Sequence, residues 1–170
     1  MRVVVTGTPG TGKTTATEHL ETDLDVVHLN DVVKDEELFT ERDEARDSLV
    51  ADMDALVEKY ADADDVLVES HLAHYLADVD AVVVLRCDPV TLEGRLTERG
   101  EPEQKARENA ESEALDVILS EAVQRHGEER VYEIDTTDRT PADVAAEIDA
   151  VIRGEREPSA GEVDFTEYLL

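Results

Sequence analysis

The opening residues MRVVVTGTPGTGKTT (1–15) decide the fold. Arg2 to Thr6 carries an unbroken valine run that reads as a buried parallel strand. Gly7-Thr-Pro-Gly-Thr-Gly-Lys13-Thr14 follows at once and satisfies the pattern GxxxxGK[ST], and Thr14 to Leu20 reads as the helix after it. Strand, glycine-rich loop and helix in that order form a phosphate cradle, because the glycines let backbone N–H groups turn inward around phosphate oxygens. In that setting Lys13 is expected to bridge the β- and γ-phosphates of ATP, with Gly10 and Gly12 lining them. Thr14 is expected to ligate Mg²⁺ through its hydroxyl, and Thr15 to hold the α-phosphate.

Outward from the loop, strands alternate with helices. Asp25 to Asn30, Val66 to Glu69, Asp80 to Arg86 and Arg130 to Asp135 read as further strands, giving five in a parallel sheet covered on both faces. The class expected is a three-layer α/β P-loop NTPase. Between the second and third strands the spacing predicts an acidic helical stretch around Val32 to Phe39. A longer helix is predicted from about Glu44 to Tyr60, with Leu49, Val50, Met53, Leu56 and Val57 at helical intervals. Asp88-Pro89 opens a helix to about Glu98, Gly100 to Pro102 breaks it, and a charged helix follows to about His126. Thr140-Pro141 caps the last helix. After Ile152 the chain reads as a linker that closes on DFTEYLL, where Phe165, Tyr168 and Leu169 share one helical face.

The composition is strongly biased. With 16 Lys and Arg against 44 Asp and Glu, the formal charge is -28, a self-repulsion that calls for an explanation. One is adaptation to molar salt, since at about 1 M the Debye length falls to roughly 3 Å. An acidic face for a basic partner is the other. Disorder is argued against by the 41% hydrophobic content in periodic segments. Cys87 is the sole cysteine, so no intrachain disulfide can form, and no stretch reads as a signal peptide or membrane span. A cytoplasmic, monomeric protein is expected. Lys and Arg are too scarce and dispersed for a direct nucleic-acid patch.

No NKxD sequence for reading guanine is present, and a chain of 170 residues leaves little room for the subdomains of large ATPases. Four segments then carry a resemblance: GTPGTGKTT, DVVKDEELFTERDEARD, VLVESHLAHYL and VVVLRCDPVTLEGRLTERG. Together they resemble the adenylate kinase isoenzyme 6 family, also described as ribosome-assembly NTPases, over roughly residues 1 to 150. The resemblance implies a nucleoside monophosphate kinase using Mg-ATP and AMP or a related monophosphate, with an ATPase activity. It also implies a role in maturing the small ribosomal subunit through the protein uS11. A kinase domain over residues 1–153 and an acidic tail over 154–170 are expected. The monophosphate segment is expected at about 30–53 and the lid at about 98–108.

By the same resemblance Arg99 is the lid arginine and Arg139 a nucleotide contact. Guanidinium groups suit a phosphoryl in flight, whose charge spreads over equatorial oxygens. Arg95, one turn before Arg99, is expected on the same side. Glu69, often Asp in the family, stands where a metal-side carboxylate belongs, and His71 two residues on is a candidate for positioning water. His71 could instead be a structural histidine capping the strand-to-helix turn, Arg95 and Arg99 a solvated helix face paired with nearby glutamates, and Arg139 part of an ordinary loop leading into the Thr140 cap. His74 reads as structural or exposed. Lys34 replaces the arginine that relatives tend to carry, and an ammonium lacks the planar fork that reads a phosphate bidentately.

Overall fold

A computed structural model describes residues 1–43 and 48–170. Five parallel strands form the main sheet: β1 (Arg2–Thr6), β2 (Asp25–His28), β5 (Val66–Glu69), β6 (Ala81–Arg86) and β7 (Val131–Asp135), in the spatial order β2-β5-β1-β6-β7. β1 lies in the centre, paired with β5 on one side and β6 on the other. Every residue of β5 and β6 is buried, which is why these strands read as continuous apolar runs.

Alternate side chains feed two cores. Val4, Val68, Val82 and Val84 pack with Leu29, Val33, Leu56 and Ala122 on one face. Val3, Val5, Leu67, Val83 and Leu85 pack with Ala16, Val144 and Ile148 on the other. The first layer is supplied by α2 (Leu29–Asp35), α3 (Met53–Lys59) and α6 (Val117–His126), the second by α1 (Lys13–Thr17) and α7 (Pro141–Ile152). The five-stranded parallel sheet and three layers are those expected.

The helix expected from Glu44 to Tyr60 does not form as one element. Residues 44–47 lie outside the described residues, β4 (Ser48–Ala51) pairs antiparallel with β3 (Phe39–Asp43), and only α3 is helical, capped by Asp52, whose side chain accepts from the Ala55 amide. The acidic stretch is helical earlier than expected, from Leu29, and Phe39 already belongs to β3. Cross-strand pairing, from Phe39↔Ala51 to Asp43↔Ser48, overrides the helical spacing of the apolar residues.

The charged helix after the Gly100–Pro102 break is also two elements, α5 (Glu103–Ala114) and α6, separated at Asp116, whose φ of 55° is left-handed. The bend lets Ala106, Ala110 and Ala114 bury one stripe of α5 while α6 turns back across β6.

At the end of β6, Arg86 is fully buried and makes four hydrogen bonds. Its Nε donates to Glu113 Oε2 at 3.2 Å and one terminal nitrogen to Glu133 Oε2 at 2.7 Å; the other donates to the Glu113 carbonyl at 3.1 Å and to Asp116 at 2.5 Å. The second oxygen of Glu133 accepts from the amides of Gly161 and Glu162, and the Phe165 ring lies 5.5 Å from the guanidinium carbon. The C-terminal segment therefore docks. Tyr168 adds a hydrogen bond to Glu93 on α4 (Pro89–Glu98) at 3.2 Å.

Candidate active site

The loop between β1 and α1 opens at the carboxyl ends of the central strands, where open α/β sheets bind ligands. Its shape depends on glycine at two positions. Gly10 has φ 94°, and a Cβ there would come within 2.8 Å of Leu92 and 2.9 Å of Leu96, so the loop lies directly on α4. Gly12 has φ 91° but a Cβ would meet nothing within 4 Å. Glycine is needed there for conformation alone.

A polar cavity of about 140 Å³ lies over the loop, lined by Pro9, Gly10, Gly12, Lys13, Thr14, Thr15, Asn30, Glu69, His71 and Arg99. All the residues expected at the phosphates and the metal meet here, as do His71 and Arg99. Arg139 does not line this cavity.

Arg139 instead lines a second chamber of about 270 Å³, with Arg95, Thr136, Pro141 and Val144, on the far side of Gly10, Gly12 and Thr15. Its guanidinium pairs with Glu147 at 3.0 Å. Arg95 and Arg99 diverge, contrary to the expectation of one shared side. Arg95 donates to the Thr136 and Thr137 carbonyls at 3.0 and 3.1 Å, whereas Arg99 turns toward the phosphate cavity. The helix ends at Glu98, and Arg99 has already left its regular path. Lys34 is exposed on α2 and is not part of the phosphate cavity.

Lys13 Nζ folds back on the loop, donating to the carbonyls of Gly7 at 2.8 Å and Thr8 at 3.2 Å. Burial lowers its pKa to about 8, with the Arg99 charge adding to the fall and Glu69 and Glu113 opposing it. Thr14 Oγ1 faces Glu69, 3.3 and 3.4 Å from its two carboxylate oxygens. These are hard oxygen donors on one wall of the cavity, and they fit Mg²⁺, which is held by one or two side chains together with substrate phosphates. Among the described residues no group of three or more His, Cys, Asp or Glu could hold a metal unaided.

His71 is half-buried, and burial lowers its pKa to about 4, so at neutral pH it offers hydrogen bonds without charge. His74 is structural: buried, it bonds Thr6 Oγ1 through Nδ1 at 2.8 Å and donates from Nε2 to Glu121 at 2.7 Å. Two features escape a reading of the sequence. Glu69 also accepts from His28 Nδ1 at 2.5 Å, and Glu113 accepts from the loop hydroxyl of Thr8 at 3.0 Å. DVVHLN and ESEALD contain no motif that marks either residue. Only the register of β2 on β5 and the fold of α5 over β6 reveal them.

A third chamber, of about 450 Å³, adjoins the phosphate cavity and shares Pro9, Asn30, His71 and Arg99 with it. Lys105, Asn109 and Ser112 of α5 and Val117 and Ile118 of α6 form much of its remaining wall. Among the described residues no helix is long and apolar enough to cross a membrane.

The AAA domain family matches residues 3–116. A protein named "Putative adenylate kinase" from Natronomonas pharaonis is 64% identical over 169 residues, 99% of this chain and 100% of that one. Its namesakes from Halobacterium salinarum and Methanothermobacter thermautotrophicus are 63% and 42% identical, each over 99% of this chain and at least 99% of their own. Two of these three sources are halophiles, in keeping with the salt reading of the charge. A shikimate kinase structure from Bacteroides thetaiotaomicron superposes with a TM-score of 0.58, covering 90% of this chain and 98% of that one at 18% identity, a likeness of fold. The chain thus belongs to the family of archaeal proteins that carry the name "Putative adenylate kinase", with an AAA domain over residues 3–116.

Proposed function

We propose that the protein is a nucleoside monophosphate kinase that transfers the γ-phosphoryl of Mg-ATP to AMP or a related monophosphate. One observation carries the reading: the phosphate cavity stands between two chambers and shares walls with both. Gly10, Gly12 and Thr15 are common to it and the Arg139 chamber, and Pro9, Asn30, His71 and Arg99 are common to it and the larger chamber. A donor nucleoside fits the first and an acceptor the second, with the transferred group between them.

On this reading the kinase domain spans 1–153, with the acceptor segment at about 30–53 and the lid at about 98–108. Lys13 leaves the Gly7 and Thr8 carbonyls for the β- and γ-phosphate oxygens. Phosphate restores the full charge that burial erodes, since an anion beside the ammonium favours its protonated form. Arg99 gives up only an exposed ion pair with Glu101, 3.5 Å long, to clamp the phosphoryl in transit. Thr14 and Glu69 would hold Mg²⁺, which supplies charge neutralisation across the β- and γ-phosphates. A monophosphate acceptor is already ionised at neutral pH, so alignment and cationic clamping suffice.

A second reading is favoured by neutral His71 beside Glu69, an arrangement suited to orienting water. It makes the protein an ATPase serving small-subunit maturation, with uS11 as the partner that the family resemblance implies.

The test is ADP and phosphate production from Mg-ATP in KCl of about 2 M, where surface repulsion is screened, with and without AMP. Fast AMP-dependent ADP formation without free phosphate, abolished by Lys13→Ala, is expected. Phosphate release indifferent to AMP would overturn the kinase reading in favour of the ATPase.

A further inference from the structure

His28 is the last residue of β2 and the Cα partner of Glu69, the last of β5, in the parallel pairing of the two strands. Neighbours in register project to the same side of a sheet, so imidazole and carboxylate meet at the strand ends. The backbone that carries the imidazole is held on both sides: His28 closes β2 and caps α2, and the next residue, Leu29, is fully buried. Nδ1 donates to Glu69 Oε2 at 2.5 Å, and Thr14 Oγ1 stands on the open side of the same carboxylate, 3.3 Å from Oε1 and 3.4 Å from Oε2. The Glu69 side chain is only 4% exposed, so solvent does little to orient it.

We infer that His28 is a positioning residue: it fixes the rotation of the Glu69 carboxylate so that Glu69 and the Thr14 hydroxyl present their oxygens together to the Mg²⁺ of a bound nucleotide. The inference rests on reading the cleft as a Mg-nucleotide site. A carboxylate can turn either oxygen toward a cation, and a fixed donor on one oxygen leaves the other aimed. Partners of this kind behind a metal ligand typically affect metal affinity or activity roughly 10- to 100-fold. Glu69 acts on Lys13 through its charge, and His28→Ala leaves that charge in place, so the contribution of His28 should fall on the metal rather than on the phosphates.

The geometry also supplies its own rescue. Asn carries its amide nitrogen on Cγ, as His carries Nδ1, so His28→Asn puts an N–H donor at nearly the same point, whereas His28→Ala removes it. The experiment uses the full chain in KCl of about 2 M, as above. It measures ADP binding calorimetrically in EDTA, and Mn²⁺ binding to the protein–ADP complex by electron paramagnetic resonance. Relative to wild type, His28→Ala should raise the Mn²⁺ dissociation constant roughly 10- to 100-fold and leave metal-free ADP affinity unchanged. His28→Asn should recover most of the loss. Unchanged Mn²⁺ affinity in His28→Ala would overturn the inference, and so would an equal loss of metal-free ADP binding. Failure of the wild type itself to bind ADP would instead overturn the nucleotide reading on which the inference stands.

Discussion

At the scale of single residues, the two central glycines of the loop serve different ends. Gly10 is pressed against Leu92 and Leu96, both fully buried, and its backbone is left-handed. Gly10→Ala therefore meets a steric penalty of about 1–3 kcal/mol for overpacking in addition to the cost of a left-handed Cβ. Gly12→Ala incurs only the latter, about 1–2 kcal/mol, at a position that lines both the phosphate cavity and the Arg139 chamber. Thermal melting and nucleotide binding should separate the two. Gly10→Ala is expected to melt markedly lower than Gly12→Ala, and Gly12→Ala to stay folded while binding ATP poorly. Equal melting temperatures would show that the Leu92 and Leu96 side chains give way freely.

At the scale of elements, the strand, loop and helix at the start were legible because each is local: a β-branched run, a motif of fixed spacing and a short amphipathic turn. The parallel strands were legible for the same reason. The β3–β4 pair was not, since LVADMDALVEKY offers apolar residues at helical intervals and strand pairing depends on the chain folding back. The site was partly legible. Lys13, Thr14, Glu69, His71 and Arg99 come from two motifs and one helix end, and the fold brings them to one cavity. His28 and Glu113 were hidden because their partners lie 41 and 105 residues away.

The C-terminal segment belongs to the same scale. It reads as a linker by composition, yet Ser159 is buried and the Gly161 and Glu162 amides end on Glu133. Removing residues 158–170 deletes two hydrogen bonds to a buried carboxylate and the ring over Arg86. Two such bonds alone correspond to about 3 kcal/mol or more. The truncated chain should show a lower denaturant midpoint in KCl of about 2 M. An unchanged midpoint would mean that the tail only rests on the surface.

For the molecule as a whole, the charge of -28 is spread over a body whose phosphate cavity is lined by Lys13, Arg99 and the glycine-rich loop. Mutual repulsion among surface carboxylates acts over the Debye length, about 10 Å at 0.1 M and about 3 Å at 1 M. The melting temperature should therefore climb as KCl rises from about 0.1 to about 2 M, and ATP, itself an anion, should bind more tightly over the same range. A melting temperature flat across that range would show that the charge is not destabilising, and would remove the reason for linking it to salt.

The buried arginine also says something about the order in which the protein can be finished. Synthesis delivers the phosphate loop before the residues that brace it: the brace runs from Thr8 to Glu113, through Arg86 to Glu133, and ends on the amides of Gly161 and Glu162. At about 5–20 residues per second, the loop waits many seconds for its last support. A nascent chain would carry a recognisable nucleotide motif well before it carries a rigid one. The loop is thus held fast only once residues far downstream of it have been made and folded back onto Glu133.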